Sequence, residues 1–239
     1  MSGSRSPNAS TESEIAVSRL RQDILSGALP PDSKLKIRDL KALYGIGASP
    51  MREALAQLAA SGFVELHAQK GFRVPPITAD ELIDITESRK IIEAEALRLA
   101  IENADAAWED EIVASYHLFE REIMRFYEIG DKRLDVYEER HHRFHRALIA
   151  ACPYKMLKAY CDDLYVRKTR YRRLTRSYGF NKDSVVSEHR MLMDVILDRD
   201  VDRAVPAITA HIGLTADIVD KVAQFQCEAS QETGTKFRL

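Results

Sequence analysis

Residues 20–74, LRQDILSGALPPDSKLKIRDLKALYGIGASPMREALAQLAASGFVELHAQKGFRV, decide the fold of the first third of the chain. Apolar residues at Ile15, Leu20, Ile24 and Leu25 recur at helical spacing, and Gly27 stands where a helix stops. Pro30-Pro31 breaks the chain. A second short helix is expected over Ile37–Tyr44, ending at Gly45. Ser49 then offers an N-cap with Pro50 as first helical residue, opening a third helix that runs to Gly62. Two β-type runs, Phe63–Leu66 and Phe72–Val74, flank the turn residues Gln69-Lys70-Gly71. Helix, helix, turn, helix, hairpin is the order of a winged helix-turn-helix.

Working outward, residues 1–12 are small and polar and read as a flexible tail, so the winged unit spans 13–76. Pro75-Pro76 marks a linker, and Thr78-Ala79-Asp80-Glu81 is a capping box that opens a long helix. From there only helical periods follow, over about 78–103, 106–129, 133–151, 154–177, 184–198 and 201–227. Residues 77–239 are therefore expected to form an antiparallel all-helical bundle of about six helices, making the chain mostly α. The net charge of −2 divides unevenly. Residues 1–76 hold 10 Lys+Arg against 7 Asp+Glu, and the remainder 25 against 30. A basic segment beside an acidic one suits a nucleic-acid module joined to something else. No run approaches the ~20 apolar residues of a membrane helix, and the start lacks a signal peptide's apolar core. Cys152, Cys161 and Cys227 lack CxxC spacing and read as reduced thiols, which points to the cytoplasm.

A helix-turn-helix reads base edges with the N-terminal part of its last helix. Arg52 falls in what is expected to be the first turn, where the helix dipole disfavours a cation. That misfit suggests a fork of donors for guanine or phosphate, against the plainer reading of a solvated Arg paired with a nearby Glu. Arg38 opens the second helix, Ser49 the third, and Lys70-Gly71 forms the wing tip. Together these are the candidate contacts to double-stranded DNA.

The bundle's apolar stripes carry unexpected residues. Arg89 stands where Leu is expected in the series Leu82, Ile85, Ile92, Ala96, Leu99. His141 and His145 are four apart on one face and able to chelate one ion. His189 and His211 are equidistant from Asp200, the turn of a helical hairpin, so folding it brings them level. Four converging imidazoles make a candidate site for a divalent metal, against the alternative of separate core histidines each bonded to a carbonyl. His142 lies off the stripe, and His67 and His117 have no such partners. A site with open positions accepts effector oxygens, with Arg89 as a carboxylate clamp and Arg170 as a second candidate.

The ILSGALPP start, the RDL helix, SPMREAL…GFVE and the KGFRV wing closely resemble the N-terminal domain of the GntR family. The resemblance implies that Arg38, Arg52 and Lys70-Gly71 match DNA-contacting positions. Gly47 and Ala48 stand where many relatives carry a Thr or Ser and an Arg. The stretches ESRKIIEAEALRLA, RFHRALIAAC and SEHRMLMDVILDRDVDRAVPAITAHI resemble the FCD ligand-binding domain of the FadR-type branch. That resemblance implies a divalent ion on an Asp and three histidines. His145, His189 and His211 match the histidines, and His141 replaces the Asp, as in the CsiR-like part of the family. A fourth neutral ligand favours Zn²⁺ or Ni²⁺ over the harder Mn²⁺ and strengthens the pull on a small carboxylate. The expected function is a dimeric, ligand-responsive transcription regulator, a repressor, on a palindromic operator. A metal-dependent hydrolase is the alternative from another class, with Glu138, Glu139 or Glu188 as base, but no HExxH-type motif exists. A non-sensing DNA-binding protein whose metal staples the bundle is the third.

Overall fold

The structure is a computed structural model that describes residues 10–175 and 181–214. The chain separates into two compact units, with the boundary between Ile77 and Thr78.

The first unit runs α1 (Glu12–Ser26), β1 (Lys34–Leu35), α2 (Ile37–Tyr44), α3 (Ala48–Ala60), β2 (Glu65–His67) and β3 (Gly71–Arg73). A reciprocal capping box starts α1: Thr11 Oγ1 accepts from Glu14 N at 3.2 Å, and Glu14 accepts from Thr11 N at 2.8 Å. Residues 11 and 12 therefore belong to the helix and not to the tail, whose first nine residues lie outside the described part. Gly45 ends α2 at φ 67°, a left-handed conformation that costs a residue without Cβ little. Leu20 and Ile24 of α1, Leu40 of α2, and Met51, Ala54, Leu55 and Leu58 of α3 are buried together with Phe63 and Val74. This three-helix core holds a sheet of order β1-β3-β2, antiparallel throughout, with Leu35 opposite Phe72 and Leu66 opposite Phe72.

The first strand of the wing hairpin, β2, begins at Glu65 and not at Phe63, because the amides of Phe63 and Val64 both turn back to the Leu58 carbonyl, at 2.9 and 3.3 Å, and close α3. Ser49 is not the cap: Gly47 is, so Pro50 is the third helical residue and Arg52 the fifth. Proline fits there equally well, since the first four amides of a helix have no internal acceptor. At the fifth position Arg52 lies past the first turn, where the helix dipole acts on a cation only weakly.

The described residues of the second unit form helices: α4 (Ala79–Glu102), α5 (Ala106–Ile129), a 3₁₀ turn (Asp131–Arg133), α6 (Leu134–Leu148), α7 (Lys155–Thr175), α8 (Lys182–Leu197) and α9 over 201–214. Thr78 caps α4 by accepting from Glu81 N at 3.2 Å. The Glu81 carboxylate does not return to the cap but accepts from the Tyr171 hydroxyl of α7. Asp105 and Asn181 cap α5 and α8 in the same manner. Helix α5 packs on α6 and α8, and α4 on α7. Their core joins Leu97, Trp108, Ile112, Tyr116, Phe144, Leu148, Leu192, Ile196 and Ile208. The expected continuation of α9 to residue 227, and Cys227, lie outside the described residues. Cys152 and Cys161 are buried free thiols. No described helix is long and apolar enough to cross a membrane.

Candidate DNA-binding surface and candidate metal centre

On α3 the buried side chains leave Ser49, Arg52 and Glu53 on the exposed face. Ser49 Oγ donates to Glu53 Oε1 at 3.5 Å. Arg52 carries no ion pair among the described residues, which removes the reading of an Arg held by a nearby Glu. Arg38, with its side chain 86% exposed, pairs with Asp39 at 2.9 Å, an association that solvent makes weak. At the wing tip Lys70 is exposed and also free of ion pairs among the described residues. Gln69 and Gly71 both adopt positive φ, 61° and 81°, and the second of these favours glycine. The candidate contacts thus sit on a helix face, a helix start and a wing that present donors outward.

In the second unit the four stripe histidines come together. His141 and His145 lie on α6, His189 on α8 and His211 on α9, and their ligand atoms all fall within 4.8 Å of one another. His141 Nε2 stands 2.8 Å from His189 Nε2 and 3.2 Å from His145 Nε2. The expected levelling of His189 with His211 across the hairpin is seen in ring centroids 4.6 Å apart.

The donor chemistry fits a divalent cation. His189 Nδ1 lies 2.7 Å from the Val185 carbonyl, which only accepts, so its proton is there and Nε2 turns a lone pair inward. His141 Nδ1 meets the Tyr165 hydroxyl at 2.8 Å. The Nδ1 atoms of His145 and His211 are buried with no partner among the described residues. Bonds of ~2.0–2.1 Å to a tetrahedral ion would set neighbouring nitrogens ~3.3 Å apart, against 3.2 Å between His145 and His141, 2.8 Å between His141 and His189, and 4.8 Å at most across the set. Burial, then the neighbouring rings or Arg172, holds His141, His145 and His211 well below the usual imidazole pKa. Burial likewise pushes His189 down to about 4, against the Val185 bond that raises it. All four are therefore neutral ligands near pH 7.

Behind the rings stand groups that the sequence reading partly missed. Arg89 is buried as expected, but its guanidinium is bonded through two nitrogens to Glu93, at 2.5 and 3.0 Å, with side chains 3% and 7% exposed. The i,i+4 spacing was the signal for that partner. Arg172 of α7 makes the same kind of pair with Glu138 of α6 and reaches the Tyr165 hydroxyl at 3.2 Å. Tyr165, Lys168, Thr169 and Arg172 share one face of α7. Arg170 is also buried but lies on another face, where Glu81 and Tyr171 act on it. His142 stacks on the Tyr165 ring at 4.2 Å and bonds to Asp162 at 3.1 Å, outside the cluster. His67 and His117 pair with Glu65 and Glu120 on the surface. Glu138, held by Arg172, is no free base. A gap lined by Glu93, His145, Cys161 and Tyr165 has room for about 10 Å³, one water at most.

A winged three-helix unit followed by a six-helix bundle with a histidine centre defines a class of two-domain transcription regulator. The sequence model of the gntR family of bacterial regulatory proteins matches residues 12–74, and that of the FCD domain matches residues 84–214. The chain is 36% identical over 206 residues to the uncharacterized HTH-type transcriptional regulator BphR of Paraburkholderia xenovorans (strain LB400), covering 86% of this chain and 84% of that one. It is 33% identical over 198 residues to the HTH-type transcriptional repressor GlaR of Escherichia coli (strain K12), covering 81% and 89%. Among solved structures, E. coli McbR/YncC superposes with a TM-score of 0.72 at 18% identity, over 90% of this chain and all of that one, which shows the shared fold. The chain belongs to the GntR family, in the FadR-type branch with an FCD domain. It is a DNA-binding transcription regulator and not an enzyme.

Proposed function

We propose that the protein is an effector-responsive repressor that binds a palindromic operator as a homodimer. Its C-terminal domain holds a divalent ion, Zn²⁺ first among Zn²⁺, Ni²⁺ and Mn²⁺, on His141, His145, His189 and His211. The repressor reading follows the name of the GlaR relative. The observation that carries the sensor reading is the convergence of four neutral imidazoles on one point, with the His189 lone pair turned inward. When bound, the ion supplies positive charge to which the oxygens of a small carboxylate coordinate.

The chain's own residues prepare that binding. Val185 and Tyr165 orient His189 and His141. Arg89 and Glu93 border the chamber as a neutral pair, so Arg89 receives an acid only by exchanging Glu93 for it. The gap beside His145 admits no acid as it stands, so an acid taking that route would part the helices that line it. Arg38, Ser49, Arg52, Lys70 and Gly71 form the DNA contacts, with residues 13–76 as the reading domain and 77–239 as the sensor. The test is elemental analysis and mass spectrometry of protein purified without chelator or polyhistidine tag. About one equivalent of a transition metal and a retained small acid support the reading. No metal as isolated, and none taken up from added Zn²⁺, Ni²⁺ or Mn²⁺, removes it.

A further inference from the structure

Lys168 is 1% exposed on α7, between Tyr165 and Arg172. A buried ammonium has three donors to satisfy and loses its hydration, a cost that a Met of the same length would avoid. Packing alone therefore does not account for a lysine. The three cations whose charge acts on the histidines are Arg89, Arg172 and Lys168. The first is paired with both oxygens of Glu93 and the second with both oxygens of Glu138, which offset their charge. Lys168 has no carboxylate among the described residues. Its Nζ donates to one acceptor there, the carbonyl oxygen of Ile212, next to His211 on α9.

We propose that Lys168 is the side chain that receives the effector's carboxylate, exchanging the Ile212 carbonyl for it. This deepens the sensing reading above and does not depend on the metal. Charge-assisted bonds to a carboxylate are stronger than a bond to a neutral carbonyl, so the exchange runs toward the acid when one is present. Burial, with Arg89 and Arg172 nearby and Glu93 opposing them, pushes the Lys168 amine down to about 6. The exchange also frees the Ile212 carbonyl, so α9, which carries His211, registers occupancy. The tie between α7 and α9 that Lys168 makes is the contact that must open for an acid to enter.

Acetate, the smallest stable carboxylate with a methyl group, is the probe. It is titrated calorimetrically into full-length protein at pH 7.5, with chloride as the blank and metal content measured on the same sample. Wild type is expected to bind acetate beyond the chloride blank, and Lys168→Met to weaken that binding at least tenfold. Removing a buried amine is expected to leave metal content unchanged and the melting temperature no lower. Equal acetate binding by wild type and variant overturns the proposal, as does a wild type that ignores acetate. Should the variant not fold, Lys168→Gln, which keeps a donor for the Ile212 carbonyl and carries no charge, is titrated in its place. Acetate binding weakened at least tenfold supports the exchange, and binding equal to wild type overturns it. A protein that holds metal but whose acetate response survives Lys168→Met refutes this inference alone. One that binds acetate through Lys168 but holds no metal as isolated and takes up none removes the metal reading alone.

Discussion

The pairing of Arg89 with Glu93 yields a prediction with a size. Both side chains are buried on α4, 3% and 7% exposed, and two of the guanidinium nitrogens reach the carboxylate. Glu93→Gln keeps the shape and removes the charge, leaving Arg89 cationic among Tyr165, Lys168 and Arg172. Breaking a buried pair from one side costs about 3–5 kcal/mol, most of it the uncompensated charge that remains. For a chain of this length each kcal/mol moves a melting temperature by about 2–4 °C, so the sensor unit should melt ~6–20 °C lower. Removing both charges, as Arg89→Met with Glu93→Gln, should return it to within ~2 kcal/mol of wild type, because a buried pair contributes little net stability. Circular dichroism melts of the two single variants and the double variant form the cycle. Acetate should also raise the melting temperature of Glu93→Gln more than that of wild type, by supplying the missing carboxylate. A shift under 3 °C for Glu93→Gln, or a double variant as unstable as the single one, would falsify the account of Arg89 as a neutralised cation.

Four further outcomes are expected. Arg52→Ala should weaken binding to the cognate operator by ~1–3 kcal/mol in gel-shift titrations with metal content unchanged, and wild-type affinity would show that the reading helix is misplaced. Lys70→Ala should weaken binding to all sequences alike and reduce the slope of log affinity against log salt by ~1; an unchanged slope counts against a phosphate contact. The folded-state pKa values of the histidine cluster are held down, His189 at about 4. Below ~6.5 the unfolded chain thus takes protons first, and the stability these groups contribute, complete above that pH, is lost as pH falls toward 4. Metal should leave over the same range, since neutral imidazole is the ligand, and a melting temperature and metal content flat from pH 7 to 5 would contradict both statements. Light scattering should find a dimer at micromolar concentration; a monomer that stays monomeric on operator DNA removes the homodimer.

The first unit was legible because punctuation residues set its limits. Gly27, Pro30-Pro31, Gly45 and Pro75-Pro76 fall between elements, and apolar periods fill the rest. What escaped was local. Strand β1 is two residues long, too short for any alternation to appear. The cap of α3 went to Gly47 because a proline is accommodated at the first or the third helical position alike. In the bundle, histidines on apolar stripes stood out against their neighbours, and hairpin symmetry around Asp200 brought two of them level. The second row was harder. Helix α7 reads Val166-Arg167-Lys168-Thr169-Arg170-Tyr171-Arg172-Arg173, so dense in charge that periodicity cannot select the inward ones. Arg170, the second clamp candidate, lies two residues from Arg172 and nearly opposite it on a helix. Only packing against α4 and α6 distinguishes them.

The resemblance to metal-binding FCD domains sets His141 where an acidic ligand is expected, and the surroundings of that position suit a ring. The His141 ring lies 5.8 Å from Tyr137 in a nearly parallel stack, 5.1 Å from Phe119, and under the Tyr165 hydroxyl. A carboxylate in that aromatic lining would be desolvated on both sides with a single hydroxyl donor to hold it, whereas an imidazole packs there as a ring and keeps a ligand nitrogen directed inward. The substitution has an electrostatic consequence that the neighbouring pairs do not cancel. Arg89 with Glu93 and Arg172 with Glu138 each sum to zero, and the four imidazoles contribute none. On the proposed reading, a divalent charge placed among them would be left whole, one unit more positive than with an acidic ligand, and Lys168, which has no carboxylate among the described residues, would stand beside it. Selectivity for an anionic effector would then come from neutral ligands and self-neutralised arginines acting together.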